Sequence, residues 1–349
     1  MTRSTREQGP KETGRTTARP ALGDALSTAA APAWQPASAH LLPGDRLHLQ
    51  HGPIDLIITA EGRDRQARPA AFSAANRRFA TLLAPLASEL TDLRKACAQP
   101  GSATDVSQFT SPVAQRMDAA ARPHAAAHFI TPMAAVAGAV ADEILAAMRA
   151  AAPLTRAAVN NGGDIALCLA PDQQFVIRRH GLKGADEGLL RLRGEDLGHT
   201  GQAGIATSGR GGRSHSMGIA DSVTVLASSA AAADAAATLI ANAVDLGAHP
   251  GITRAPASTL NPESDLGERL VVTDCAPLAP DEKRRALAAG LRRAKHMQRT
   301  GLIEAALLTL QGEHASLGRL ANSLALQSPR RRPAEILRPR PPLRSSRHA

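Results

Sequence analysis

The stretch Ala157-Ala158-Val159-Asn160-Asn161-Gly162-Gly163-Asp164-Ile165-Ala166-Leu167-Cys168-Leu169 decides the fold. Two short apolar runs of strand type bracket a turn with adjacent glycines. Gly162 and Gly163 allow positive φ and remove two Cβ atoms, so the backbone can approach a phosphate or a ring and present its N–H groups. The same residues make a plain hairpin turn, for which Asn-Gly is the commonest signal. Upstream, Met133 to Ala151 reads as a long Ala-rich helix, with Pro132 in its first turn and Pro153 closing it. Its small-residue stripe, Ala134, Ala137, Gly138 and Ala141, admits close packing or a flat ligand.

Further out the pattern repeats. Arg46 to His51 and Ile54 to Thr59 read as two strands around Gly52-Pro53. Residues 69–97 have helical apolar spacing, and Pro100 to Asp105 is a break. Downstream, Gln174–Arg178, Leu189–Leu192, Ser222–Ala227 and Leu270–Thr273 read as strands. Ala231–Val244 reads as a helix, Asp281 caps another through Met297, and Leu302–Leu310 is apolar-periodic. Strands and helices alternate loosely, with hairpins. The expected class is α+β, with mostly antiparallel sheets packed by helices, rather than a doubly wound sheet.

Charge sits at the ends. The net charge of the 349 residues is +10, of which residues 1–20 carry +3 and residues 329–349 carry +6. The interior is therefore close to neutral, so nucleic acid is not expected as a partner and the tails are expected to be solvated and disordered. The expected organisation is a disordered tail over 1–38, a domain over 39–325 and a basic disordered tail over 326–349. Cys97, Cys168 and Cys275 show no zinc spacing and read as reduced thiols. No apolar run has the length of a membrane span or the form of a signal peptide, so a cytoplasmic protein is expected. The chain has no Tyr, one Trp and five Phe, so small and branched side chains must fill the core.

Three constellations carry chemistry. The first is the turn Asn160-Asn161-Gly162-Gly163-Asp164. The second runs Thr207-Ser208-Gly209-Arg210-Gly211-Gly212-Arg213-Ser214-His215, where Arg can clamp phosphate and His215 can act as acid or base. A basic surface loop has the same composition. The third is Asp234-Ala-Ala-Ala-Thr238, whose carboxylate and hydroxyl lie one helical turn apart and suit a hard cation. A carboxylate near a helix start with a buried Thr is the plainer reading.

Taken in order, these motifs resemble the ApbE superfamily of FAD:protein FMN transferases. The closer resemblance is to a less characterised, UPF branch of it, through Ala135–Asp142, Ser208–Val223 and Ala233–Thr238. The resemblance implies a T-fold-like α+β domain and a nucleotide-type ligand such as FAD held with Mg²⁺. Asn160, Asn161, Gly162, Gly163, Asp164, Thr207, Ser208 and Gly209 would hold the ligand, Asp234 and Thr238 the metal, and His215 and Ser208 would sit at the attacked bond. It also implies an acceptor protein and a homodimer, with the Ala-rich helix as a conceivable interface. The transferases carry Asp-Pro-x-Thr-Gly after the loop His and an exposed Tyr after the Ser-Gly. Here His215 leads into Ser216-Met217-Gly218-Ile219-Ala220-Asp221 and Tyr is absent. FMN transfer or ligand hydrolysis therefore stands beside the alternative of a non-catalytic flavin- or pterin-binding protein in sulfur-amino-acid or C1-cofactor metabolism.

Overall fold

The computed structural model describes residues 35–98, 107–180, 186–198, 200–212 and 214–318. The expected disordered tails and the break at Pro100–Asp105 fall almost wholly outside these residues. In chain order the elements begin with β1 (Ser38–Leu42), β2 (Arg46–His51) and β3 (Ile54–Gly62). Helices α1 (Ala67–Ala80), α2 (Leu83–Ser88), α3 (Leu90–Leu93), α4 (Pro112–Ala121) and α5 (Val136–Ala151) follow. Then come β4 (Leu154–Asn161), β5 (Asp164–Leu169), β6 (Gln174–His180), β7 (Asp186–Arg193), β8 (Gln202–Ser208), β9 (Ser222–Ala227) and α6 (Ala230–Ala243). The chain continues through β10 (Ile252–Pro256), α7 (Ala257–Leu260), β11 (Leu270–Cys275), α8 (Pro280–Arg299), β12 (Ala305–Leu310) and β13 (Glu313–Leu317).

Nine strands form one sheet in the order β1-β2-β3-β4-β5-β8-β9-β12-β13, and every neighbouring pair runs antiparallel. The α+β class is as expected. The structure adds β1, an edge strand that the sequence pattern did not mark. Leu302–Leu310 contains a strand, β12, all six residues of which are buried. Burial on both faces removes the alternation that marks a half-exposed strand. Pro280 opens α8 after Ala279, while Glu282 accepts the Ala279 N–H at 2.8 Å, so Asp281 lies in the first turn and is not the cap.

The central strands are covered on both faces. On one, Val159, Ala166, Ala206, Val223, Val225 and Leu308 meet α5, α6 and α8 in a core rich in alanine. On the other, Ile165, Leu167, Ile205, Leu226 and Leu307 meet Leu190 and Leu192 of the β6–β7 hairpin. The hairpin pairs only with itself among the described residues and lies on the sheet through side chains. Glu143 of α5 accepts from Arg78 of α1 at 2.7 Å and from Arg116 of α4 at 2.9 Å, fastening three helices together. No helix among the described residues is long and apolar enough to cross a membrane. The three cysteines are free thiols.

His124, just after α4, is 5% exposed. Burial, then the charges of His128 and Arg293, lower its pKa to about 4 from 6.5. The fold therefore requires neutral His124, so its contribution is present above pH 6.5 and is lost as pH falls toward 4. The loss is at most about 3 kcal/mol. Urea unfolding between pH 4 and 7 should show this slope, and His124→Gln should flatten it; an unchanged slope in the variant would refute the assignment.

Candidate functional site

The Asn-Asn-Gly-Gly-Asp turn ends the β4–β5 hairpin at the edge of the helix-covered layer. Gly162 has φ 67° and Gly163 φ 115°, so the turn uses the conformational freedom only glycine supplies. Because side chains alternate along a strand, consecutive residues go to opposite faces. Asn160 turns to the hairpin-covered side, where its Oδ1 accepts from Gly163 N–H at 2.8 Å. Asn161 turns to the helices, where its Nδ2 donates to Ala137 O at 3.1 Å. Asp164, paired with Asn161, shares that face, and its Oδ1 also accepts from Thr207 N–H at 3.2 Å, joining the turn to β8.

On the hairpin side a cleft of about 340 Å³ opens beside the turn. Ile165 and Ile205 of the sheet and Ile177 and Leu190 of the hairpin give it apolar walls. Asn160, Gly162, Gly163, Thr207, Ser208, Gly211, Gly212, Ser222 and Thr224 give it polar and backbone groups. Its size and mixed lining are those of a small-molecule site. The Thr207 and Thr224 hydroxyls lie 3.0 Å apart across β8 and β9. The second Gly-rich loop is fastened at its base. Arg210 donates to Asp221 at 2.7 Å, and buried Asp221 also accepts from Gln311 N–H. Gly209 has φ 139°, and a Cβ there would lie 2.7 Å from Asp221 O.

On the helix side, α5 and α6 hold each other by their ends. Asp142 of α5 accepts Ala230 N–H at 3.0 Å and Ala231 N–H at 2.9 Å, the first turn of α6. Asp234 of α6 accepts Gly138 N–H at 3.1 Å, in the first turn of α5. A Cβ on Gly138 would sit 2.3 Å from Ala230 O, so the small-residue stripe serves contact between two helices. Gly138 and Ala141 of that stripe are buried within the chain, and Ala134 and Ala137 are partly buried. Asp234 is raised well above the ordinary carboxylate range by burial and by the facing charge of Asp164, against the pull of the two N–H groups at Ala137 and Gly138. Asp142 is raised too, by burial.

The residues expected from sequence divide accordingly. Asn160, Gly162, Gly163, Thr207 and Ser208 meet at the cleft. Asn161 and Asp164 lie on the other face, toward Asp234. Gly209 shapes the loop. His215 is exposed and is not part of the cleft lining. Arg213 lies outside the described residues. Among the described residues the Thr238 side chain makes no hydrogen bond, and no cluster of three or more His, Cys, Asp or Glu could hold a metal. The donors nonetheless fit a hard cation: two carboxylates, Asp164 and Asp234, face each other at a cost that a positive charge would relieve, one helical turn from a free hydroxyl. Sequence reading missed the capping role of Asp142, the hairpin wall Ile177–Leu190, and Ser222 and Thr224. The last two were legible, since they alternate with the apolar Val223 and Val225.

The sequence profile of the family described as AbpE bacteria matches residues 38–316. A UPF0280 protein of Methanopyrus kandleri is 42% identical over 135 residues, covering 37% of this chain and 48% of that protein. A UPF0280 protein of Methanocaldococcus jannaschii is 39% identical over 115 residues, covering 33% and 45%. The matched region spans about half the length of these curated relatives. Among solved structures, the apo flavinyl transferase ApbE of Pseudomonas stutzeri aligns with a TM-score of 0.39 and 12% identity, over 82% of this chain and 96% of that one. The flavin transferase ApbE from Vibrio cholerae aligns with 0.36 and 13%, over 81% and 97%.

The reciprocal caps predict a coupled loss of stability. Asp142→Ala should lower the unfolding free energy by about 1–2 kcal/mol. Gly138→Ala should lower it by about 1–3 kcal/mol through the clash with α6. In urea melts the two changes should be non-additive, because both loosen one helix pair.

Proposed function

Because this chain belongs to the bacterial AbpE family, an ApbE-like family with a UPF0280 branch, we propose that its cleft binds a phosphate-bearing nucleotide of flavin type together with Mg²⁺. The observation that carries this reading is the two-sided turn. It lends Asn160, Gly162 and Gly163 to an apolar-walled cleft and sets Asp164 against Asp234 on the opposite face. A ring would lie between Ile165 and Ile205 below and Ile177 and Leu190 above, in place of aromatic stacking. Phosphate oxygens would take the hydroxyls of Thr207 and Ser208 and the open backbone at Gly162, since the Gly163 N–H already donates to Asn160.

Asp164, Asp234 and the Thr238 hydroxyl would hold the metal, which when bound neutralises diphosphate charge and stabilises a leaving group. Asp234 gives one oxygen to α5, so its role is structural as well. In this reading Ser208 orients the ligand at the mouth of the cleft. FMN transfer to an acceptor protein, or hydrolysis of the ligand, needs a proton acceptor near the attacked bond. His215 lies outside the cleft lining, which favours a second reading, that the chain holds a flavin or pterin-type cofactor without breaking a bond. A cytoplasmic setting, an acceptor protein and a homodimer belong to the proposal in its fullest form.

Thermal-shift and calorimetric titration with FAD, FMN and ADP, each with and without Mg²⁺, tests it. Binding to the native state raises the melting temperature by mass action. FAD with Mg²⁺ should stabilise more than either alone, and Asp234→Asn should abolish the gain from Mg²⁺. If no flavin or nucleotide moves the transition, the flavin reading fails. FAD turnover with a mononucleotide product then separates the catalytic from the binding reading.

A second prediction concerns the turn. Space is open around Gly163, so Gly163→Ala introduces strain from φ 115° without a clash. It should cost about 1 kcal/mol in stability and weaken FAD at least several-fold, read by calorimetry. Unaltered FAD affinity would show that this turn does not touch the ligand.

A further inference from the structure

The sheet face that floors the cleft continues past it as a row of hydroxyls ending on a histidine. Residues directly opposite each other across antiparallel strands place their side chains on the same face. Ser222 of β9 pairs with Thr309 of β12, and Thr309 pairs with His314 of β13. Thr309 Oγ1 and His314 Nδ1 lie 3.1 Å apart. Two residues along β9, Thr224 pairs with Thr207 of β8, and their hydroxyls lie 3.0 Å apart. Ser222, Thr224 and Thr207 line the cleft, whereas Thr309 and His314 are not part of its lining.

Two features set this row apart from ordinary strand packing. Ser222, Thr224 and Thr309 are buried, and Thr309 is the only polar residue of β12. His314 is exposed, so its ring exchanges protons with solvent while its Nδ1 meets a buried hydroxyl. The order from solvent to cleft is therefore ring, Thr309, Ser222. A hydroxyl carries one proton, so a row of them has a sense, and the group at one end sets it. A neutral ring can accept at Nδ1. A charged ring donates from both nitrogens, so Thr309 must then accept from it. The Thr309 O–H is thereby turned toward Ser222, and the Ser222 O–H toward the cleft.

The charged groups around His314 do not replace it in this role. β12 carries no titratable side chain. Glu313 precedes His314 and points to the opposite face of the sheet. On that opposite face lies α8 with its cations, of which Lys283 donates to Gln311 O at 3.1 Å. Asp221, next to Ser222, is paired with Arg210 at 2.7 Å and accepts from Gln311 N–H.

We propose that His314, acting through Thr309 and Ser222, is a positioning residue for the cleft, its charged form strengthening the hold on an anionic, phosphate-bearing ligand. The ligand in this inference rests on the nucleotide reading of the cleft. His314 itself does not touch the ligand; it fixes which way the Ser222 hydroxyl points.

The full chain is titrated calorimetrically with FAD at fixed Mg²⁺ from about pH 8 to about pH 5.5, the range in which histidine changes charge. The FAD diphosphate keeps its charge over that range. Protonation of Asp164 and Asp234 weakens Mg²⁺ binding as pH falls, so the wild type is read against variants that share this effect. Relative to Thr309→Val and to His314→Gln, the wild type should gain about fivefold in affinity on acidification. Thr309→Ser should keep the gain. By linkage, the His314 ring resonances should titrate at higher pH with FAD than without it. FAD binding with the same pH dependence in wild type and Thr309→Val overturns the coupling and leaves the nucleotide reading standing. If no flavin binds, that reading fails, and Ser222→Ala in the unligated chain decides the row. A changed His314 titration that Thr309→Val abolishes upholds it, and an unchanged one overturns it. If Thr309→Val does not fold, His314→Gln and the wild-type ring resonances decide in its place.

Discussion

The mutual capping of α5 and α6 is the contact on which the rest of the structure depends. Each helix start leaves N–H groups without partners, and each partner helix supplies the carboxylate. Asp142 serves Ala230 and Ala231, and Asp234 serves Gly138. Only a residue without a Cβ fits between them, at Gly138. Two negative charges are thereby drawn into the layer beneath the sheet. Their burial raises both above the ordinary carboxylate range, and for Asp234 the facing Asp164 adds to it. The packing device and the candidate cation site thus share Asp234, which ties the stability of the helix layer to the chemistry of the turn.

The sheet divides the remaining work between its faces. Alanine and glycine let α6 lie directly on β8, where a Cβ at Gly204 would lie 2.0 Å from the backbone of Ser229 and Ala230. Such packing needs few aromatic side chains, consistent with a chain that has no Tyr. On the other face the β6–β7 hairpin covers the sheet through leucine and isoleucine side chains, and the cleft opens where this cover meets the two glycine loops. Alternation along β4 gives Asn160 to one face and Asn161 to the other, so a five-residue turn belongs to both.

Much of the architecture was legible in the residues. The hairpin of β2 and β3 and the long helix after Pro132 were read from period and punctuation, because partly exposed elements keep their pattern, and the strand Ser222–Ala227, though buried at all six positions, still alternates the hydroxyls of Ser222 and Thr224 with Val223 and Val225. What was missed had no such pattern. β12 is buried on both faces and reads as a uniform apolar run. β1 is an edge strand of mixed composition. At the site, the turn and the Thr207-Ser208 pair were found because glycine and hydroxyls cluster in sequence. The hairpin wall was not, since Ile177 and Leu190 are ordinary core residues until the fold sets them over Ile165 and Ile205.

By itself the sequence determined the class of fold, the family motifs and the positions where the backbone must turn left-handed, because these depend on residue type and local spacing. Only the tertiary structure decided which side of the sheet each site residue serves, that Asp234 caps α5 as well as facing Asp164, and that His215 stands outside the cleft. Those outcomes depend on contacts between residues up to about a hundred positions apart, such as the 96 that separate Gly138 from Asp234. No local pattern encodes the burial and facing charges that such contacts create.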